Sequence, residues 1–239
     1  MITCKLTGET GPSVKAHIIP KSFYEIPPQS DGPCKLMTNA SGVRPKKMPI
    51  GIYDDTMVTR NGEEIFGNWD DYACKLLLND FDQFDQICKD SRVIAWRKKE
   101  YDYSFLKLFA LSVLWRTHAS TQHSFSNVDL GPHEPEIRDM LLCGDPRGEE
   151  DYSVILSRWI DGDFGTVIMD PFSERYDGAN YYRIYCGRYI LYIKVDKKKT
   201  TAKFNDIQLA PDRDLYLIAR ELKESKEWPI MKKVALANS

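Results

Sequence analysis

The sequence predicts an α+β protein: a small N-terminal module docked on a helical core, followed by an antiparallel β region and a C-terminal helix. Three observations predict it. Residues 1–67 are rich in Gly, Pro, Ser, Thr and Lys, with short apolar runs that are typical of turns around short strands. Apolar residues recur at helical spacing from 68 to about 145, and from 151 they alternate with the period of a strand. We therefore expect two units, 1–67 and 68–239.

The helical region contains three recognisable segments. "NWDDYACKLLLNDFDQF" predicts a helix that begins after Asn68 as its N-cap. "DYSFLKLFALSVLWRTHAS", residues 102–120, is apolar on nearly all sides, which predicts a helix buried at the centre of the protein. "GPHEPEIRDMLLCGDP" predicts a helix with Pro135 in its first turn and Gly144 at its end.

The β region begins at residue 151. Residues 152–160, 165–172 and 180–195 are predicted strands, and Gly187 with Arg188 are predicted to form the turn of a hairpin. The chain then closes with "DLYLIARELKESKEWPIMKKVAL". We expect this segment to be an amphipathic helix as far as about Lys226, broken near Pro229.

Composition restricts the classes of function. Hydrophobic residues make up 42% of the 239 residues, enough for a core, and the net charge of −2 gives no general attraction to nucleic acid. The sequence has no apolar run long enough to span a bilayer and no signal-peptide pattern, so we expect a cytoplasmic protein. The six cysteines include no C-x-x-C pair, which predicts reduced thiols and excludes a four-cysteine zinc knuckle.

Two stretches carry the residues that could perform chemistry. "VKAHIIPKSF", residues 14–23, places His17 on a predicted strand shortly before Pro20. "GIYDDTMVTRNGEE", residues 51–64, brings Asp54 and Glu63 to the start of the helical region. Histidine is suited to act as a general base near neutral pH, and carboxylates are the ligands that Mg²⁺ prefers.

Together, "CKLTGETGPSVKAHIIPKSF" and "GIYDDTMVTRNGEEIFGNWDDYA" resemble the N-terminal module of the HNH endonucleases, also called His-Me finger or ββα-metal nucleases. The resemblance covers about the first third of the chain. It implies a ββα fold in which His17 is the catalytic base and Pro20 is the motif proline. It also implies that Glu63 is a metal ligand, and Asp54 falls where the motif has an Asn, which makes Asp54 a second candidate ligand.

The sequence also departs from the family pattern. Cys4 matches the first of four zinc-binding cysteines, but Thr7, Thr59 and Gly62 stand at the other three positions. Ala16 replaces the metal-binding acid before the histidine. The resemblance therefore implies a Mg²⁺ or Mn²⁺ cofactor, and we expect no structural zinc.

The resemblance implies DNA as the substrate, and a basic segment offers phosphate contacts. Arg44, Lys46 and Lys47 in "RPKK" would contact DNA if they lie beside His17. Farther along, "LKLFALSVLWR" and "VDLGPHEPEIRDML" resemble uncharacterised bacterial proteins that are thought to act in defence against phage. A bacterial antiviral nuclease is therefore the first hypothesis.

Two other interpretations remain open. The lost cysteines and Ala16 favour an inactive HNH-like module that recognises a nucleic acid, a small ligand or a protein partner without cutting. Independently of this hypothesis, His17 could be a hydrogen-bonded structural residue, as a single histidine between a strand and a proline more often is. The third places the function in the remainder of the chain, where the aromatic hairpin "NYYRIYCGRYILYIKV" could offer a stacking surface.

Overall fold

The computed structural model describes residues 1–24, 35–37, 46–47, 51–160 and 167–236. Its strands are β1 Ile2–Thr3, β2 Thr10–Gly11, β3 Ala16–His17, β4 Lys35–Met37, β5 Lys46–Lys47, β6 Tyr53–Asp54, β7 Asp85–Lys89, β8 Arg92–Lys98, β9 Val154–Trp159, β10 Val167–Met169, β11 Phe172–Tyr176, β12 Ala179–Cys186, β13 Tyr189–Lys194 and β14 Leu215–Arg220. Its α-helices are α1 Arg60–Cys74, α2 Tyr103–Ala119, α3 Glu134–Cys143, α4 Ala202–Asn205 and α5 Glu227–Leu236.

A seven-stranded sheet forms the body, in the order β11-β12-β13-β9-β14-β8-β7. Five of its six pairings are antiparallel, and β9 pairs with β14 in parallel. The predicted α+β class is therefore confirmed. Smaller sheets join β1 to β2 and β3 to β6, and β4 pairs with both β10 and β5.

Helix α2 lies at the centre of the protein, as its apolar sequence predicts. Of its 17 residues 14 are buried, and the helix packs against α1, α3 and β13. The Asp102 side chain caps the helix by accepting a hydrogen bond from the backbone N–H of Phe105 at 2.9 Å. Because α2 contacts both the small N-terminal sheets and the large sheet, one hydrophobic cluster extends from Cys4 to Leu217.

The N-terminal part of the helical prediction needs correction. Helix α1 begins at Arg60, not after Asn68, so the expected boundary between 67 and 68 falls inside this helix. Residues 85–98 form the hairpin β7–β8 within the region predicted to be helical. The turn of this hairpin is formed by Asp90 and Ser91, both of which have positive φ. Because residues other than glycine rarely adopt this conformation, the local sequence does not predict the turn.

The C-terminal prediction was also wrong. Residues Leu215–Arg220 form strand β14 in the interior of the sheet, and the C-terminal helix begins only at Glu227. Pro229 does not break this helix, because it lies in the first turn, where a backbone N–H has no partner within the helix. The helix covers the outer face of the sheet, where Met231 joins a second buried cluster with Trp159 and Tyr185.

The hairpin β12–β13 connects the large sheet to the N-terminal segment. Its predicted turn is confirmed, with Gly187 at φ +58°. A Cβ at Gly187 would lie 2.5 Å from the carbonyl oxygen of Phe23, so only glycine permits this close approach. The Phe23 ring stacks on Phe109 of α2 with ring centroids 5.6 Å apart. These contacts fix the segment that follows His17 against the body.

Among the described residues, no helix is both long enough and apolar enough to cross a membrane.

Candidate functional site

The strand pair β3–β6 decides which side chains can reach a site. Ala16 pairs with Asp54, and His17 pairs with Tyr53. Directly paired residues share one face of a sheet, and successive residues lie on opposite faces. Ala16 and Asp54 therefore face the interior, where they are 1% and 2% exposed. His17 and Tyr53 lie on the other, half-exposed face, with their ring centroids 6.4 Å apart.

His17 lies in a cavity of about 300 Å³ against one face of α1. Glu63, in the first turn of the helix, lines the same cavity, as do Gly67 and Asp71 farther along it. Lys21 lines it from the 3₁₀ turn that follows β3. The ββα arrangement thus places His17 and Glu63, two of the predicted site residues, around one cavity.

Arg116 of α2 connects the elements that form this cavity. It makes a bidentate pair with Asp70 of α1 at 2.7 and 2.9 Å, and it donates to the backbone carbonyl of His17 at 3.1 Å. Its remaining N–H groups donate to the Ser112 carbonyl and hydroxyl, and its guanidinium lies 4.9 Å from the centroid of the Phe66 ring. All five N–H donors of the guanidinium are used inside the protein, so Arg116 holds β3 against α1 and α2.

Burial and nearby charge act in opposite directions on the carboxylates of the cavity. Burial raises the pKa of Glu63, although the charges of His17 and Arg116 act to lower it. Burial likewise raises the pKa of Asp70, against the opposing effect of its Arg116 partner. The cavity is therefore partly desolvated, which strengthens electrostatic interactions inside it.

Asp54 does not reach this cavity. One carboxylate oxygen accepts from the Thr56 backbone N–H and hydroxyl at 2.8 and 2.7 Å. The other accepts from the Ser120 hydroxyl at 3.1 Å and from the Thr121 backbone N–H and hydroxyl at 2.6 and 2.8 Å. Burial alone would raise the pKa of Asp54, but these hydrogen bonds hold it well below its usual range. Asp54 thus joins β6 to the segment after α2, and we do not retain it as a metal ligand.

The four positions that match zinc-binding cysteines lie together at the N-terminus of α1. Cys4 Sγ accepts from the backbone N–H of Thr7 at 3.4 Å, and Thr59 is the N-cap of the helix. Burial raises the pKa of the Cys4 thiol, but hydrogen bonds from Thr7 and from the backbones of Thr59 and Leu6 outweigh burial and lower it. A Cβ at Gly62 would lie only 2.6 Å from Cys4 Sγ. The thiol therefore fills this region by direct contact with the helix backbone.

The predicted DNA-contacting segment is described only in part. Lys46 and Lys47 form β5, which pairs with Lys35 and Leu36 of β4. Arg44 lies outside the described residues. The proposal that these three residues contact DNA therefore stays a prediction.

The donor set of the cavity restricts the metal that it could hold. Within the described ranges, no three His, Cys, Asp or Glu side chains are arranged as a metal-binding group. Glu63 is a hard oxygen donor, and Mg²⁺ is commonly held by one or two carboxylates together with waters and substrate phosphates. The residues present therefore fit a hard divalent cation that keeps most of its waters, and they do not fit a tetrahedral zinc site.

Sequence reasoning missed Arg116 and Asp70. The available signal was a charged residue within the apolar helix α2, because a fully buried arginine requires an acidic partner. Comparison with models of protein families, with curated proteins and with solved structures finds no match to this chain.

Proposed function

We propose that this protein is a metal-dependent nuclease that cuts DNA at the His17 cavity. The observation that carries the proposal is the ββα arrangement of β3, β6 and α1, which brings His17 and Glu63 to one cavity. A general base and a hard-cation ligand are two groups that metal-dependent phosphodiester hydrolysis uses.

His17 is the proposed general base. A water oxygen bonds to phosphorus while its proton passes to the imidazole. The bond from phosphorus to the 3′ oxygen breaks, and that oxygen takes a proton from solvent. Arg116 serves as a positioning residue, because its hydrogen bond to the His17 carbonyl at 3.1 Å fixes the backbone that carries the base.

Glu63 is the residue that would hold Mg²⁺ or Mn²⁺. When bound, such a cation neutralises charge on the scissile phosphate and on the leaving oxygen. The charges of the cavity support this requirement. Arg116 and Asp70 compensate each other, so with His17 in the neutral form that a general base requires, the carboxylates of Glu63 and Asp71 outnumber the ammonium group of Lys21. A phosphate approaching without a cation would meet net repulsion.

A second candidate is a module that binds a nucleic acid or a protein partner and does not cut. Ala16 offers no ligand, and the carboxylate of Asp54 is used by hydrogen bonds within the fold. These two observations favour a site that has kept its shape and lost its metal. Under either candidate, we propose a role in antiviral defence in a bacterium on the basis of the sequence resemblance, and the cytoplasmic location expected from the sequence stays a proposal.

The two candidates differ in metal dependence. Purified protein is incubated with supercoiled plasmid or RNA, with Mg²⁺, Mn²⁺ or a chelator, and cleavage is followed on gels. A nuclease nicks DNA only with metal, and Glu63→Gln raises the metal concentration needed for half-maximal cleavage. Intact nucleic acid under every condition, with binding retained in gel-shift assays, would favour the second candidate. Loss of both activities would exclude nucleic acid as the target.

A further inference from the structure

Helix α1 has a glycine at its midpoint that packing does not explain. Glycine in the interior of a helix lowers helix stability relative to alanine. Gly67 lies seven residues from either end of the helix and is exposed, and an added Cβ would meet no atom within 4 Å. Gly62 in the same helix differs, because its Cβ would collide with Cys4. The fold therefore gives no reason for glycine at position 67.

The position of Gly67 beside the His17 cavity offers a reason for glycine there. Gly67 lines the His17 cavity, with Glu63 one turn before it and Asp71 one turn after it on the same helix face. The missing side chain opens a gap between two carboxylates on the floor of the cavity. Glycine is used where the backbone must approach a ligand closely, and the position of Gly67 in the cavity meets that condition.

We propose that Gly67 clears the path of the polynucleotide where it crosses α1 beside the scissile phosphate. This inference rests on the proposed nuclease function and adds the course of the substrate. The scissile phosphate lies toward Glu63, which would hold the cation, whereas Asp71 on the other side of Gly67 repels a phosphate. The part of the substrate that lies over Gly67 is therefore an uncharged sugar. A larger side chain at position 67 fills the gap and hinders binding of the substrate over α1.

The test compares substitutions at Gly67 with a neighbouring control. Asn68 is also exposed, but it points about 100° around the helix and does not line the cavity. Gly67→Ala, Gly67→Leu and Asn68→Leu are each made in the His17→Ala background, and their affinity for a fluorescent DNA oligonucleotide in Mg²⁺ is measured by anisotropy. Melting temperatures are recorded for the same proteins.

We expect Gly67→Ala to raise the melting temperature by about 1–4 °C, because the helix gains stability. Gly67→Leu should weaken binding on the order of tenfold, the cost of a steric conflict, while Asn68→Leu leaves binding unchanged. With His17 intact, Gly67→Leu should raise KM more than it lowers kcat.

Equal affinities of Gly67→Leu and the parent would overturn the inference, and so would equal losses for Gly67→Leu and Asn68→Leu. Both results would leave the nuclease proposal standing. A parent protein that neither cuts nor binds DNA would instead remove the proposed function, and the inference with it.

Discussion

The contact between Gly62 and Cys4 predicts that two glycines of one helix respond in opposite ways to the same substitution. In Gly62→Ala, the new Cβ would lie 2.6 Å from Cys4 Sγ and 3.2 Å from Val58 Cβ. Cys4 is 1% exposed and its sulfur accepts backbone hydrogen bonds, so it cannot move without cost. In Gly67→Ala, the new Cβ meets no atom within 4 Å.

The magnitude follows from the difference between the two variants. Gly67→Ala gains up to about 1 kcal/mol of helix propensity, and Gly62→Ala, in the first turn, gains no more than this, so propensity does not favour Gly62→Ala in the comparison. Overpacking at Gly62 costs about 1–3 kcal/mol. Gly62→Ala should therefore unfold with a free energy about 1–3 kcal/mol lower than that of Gly67→Ala. For a chain of this size, this corresponds to a difference in melting temperature of roughly 2–12 °C.

Urea denaturation followed by tryptophan fluorescence and circular dichroism gives the free energies of unfolding. Cys4→Ala removes the sulfur, so the double variant Cys4→Ala/Gly62→Ala should recover about 1–2 kcal/mol relative to the sum of the single changes. If Gly62→Ala is as stable as Gly67→Ala, or if the double variant shows no coupling, Cys4 does not fill the region at the N-terminus of α1 as described.

Three further predictions concern buried charge. Asp70→Asn leaves Arg116 buried without its anionic partner, so the free energy of unfolding, measured by urea denaturation, should fall by about 3 kcal/mol. A loss below about 1 kcal/mol would contradict the conclusion that this ion pair holds β3 and α1 against α2. Burial lowers the pKa of Lys107 to about 7 from 10.5. Between these values the unfolded chain holds a proton that the folded chain has released, so the contribution of Lys107 to stability should rise by roughly 3 kcal/mol from pH 7 to 9.5. The difference in stability between the unsubstituted protein and Lys107→Met should change by this amount, and an equal pH dependence of the two proteins would contradict the assignment. Asp54→Asn should lower the free energy of unfolding by about 1–3 kcal/mol, because hydrogen bonds to the carboxylate are lost. The metal concentration needed for cleavage should not change, and an increase in that concentration would indicate that Asp54 is a metal ligand after all.

Some features of the fold could be predicted because the residues that determine them are close together in the sequence. The left-handed Gly144 ends α3, as the sequence predicts. The turn at Gly187 was predicted for the same reason, since glycine adopts positive φ at little cost. In each case, the residues that determine the element lie within or directly beside it.

Strand β14 could not be predicted in this way. Residues 215–220 belong to the sheet because they pair with β9 and β8, which are distant in the chain. Their local pattern is also compatible with an amphipathic helix, and tertiary pairing decides between the two. The side of the sheet on which Asp54 lies could not be predicted either, because this side depends on the register of β3 with β6. A shift of one residue in that register would place the Asp54 side chain on the opposite face.

The motif in residues 14–23 and 51–64 predicted residues that line the cavity, but it did not predict the residues that hold the cavity together. His17 and Glu63 could be named from the sequence, and the structure places both around one cavity. Arg116 and Asp70, which hold the cavity together, lie in different helices, and their pairing is visible only once the helices are packed.

Single-turnover cleavage of a labelled DNA duplex in Mg²⁺ tests the role of His17 most directly. His17→Ala is compared with the unsubstituted protein and with His123→Ala, whose side chain is exposed and does not line the cavity. Loss of a general base should reduce the rate of cleavage by about 10²–10⁴-fold in His17→Ala, while His123→Ala cleaves as fast as the unsubstituted protein. Equal rates for all three proteins, or no metal-dependent cleavage by any of them, would contradict the assignment of His17 as the catalytic base.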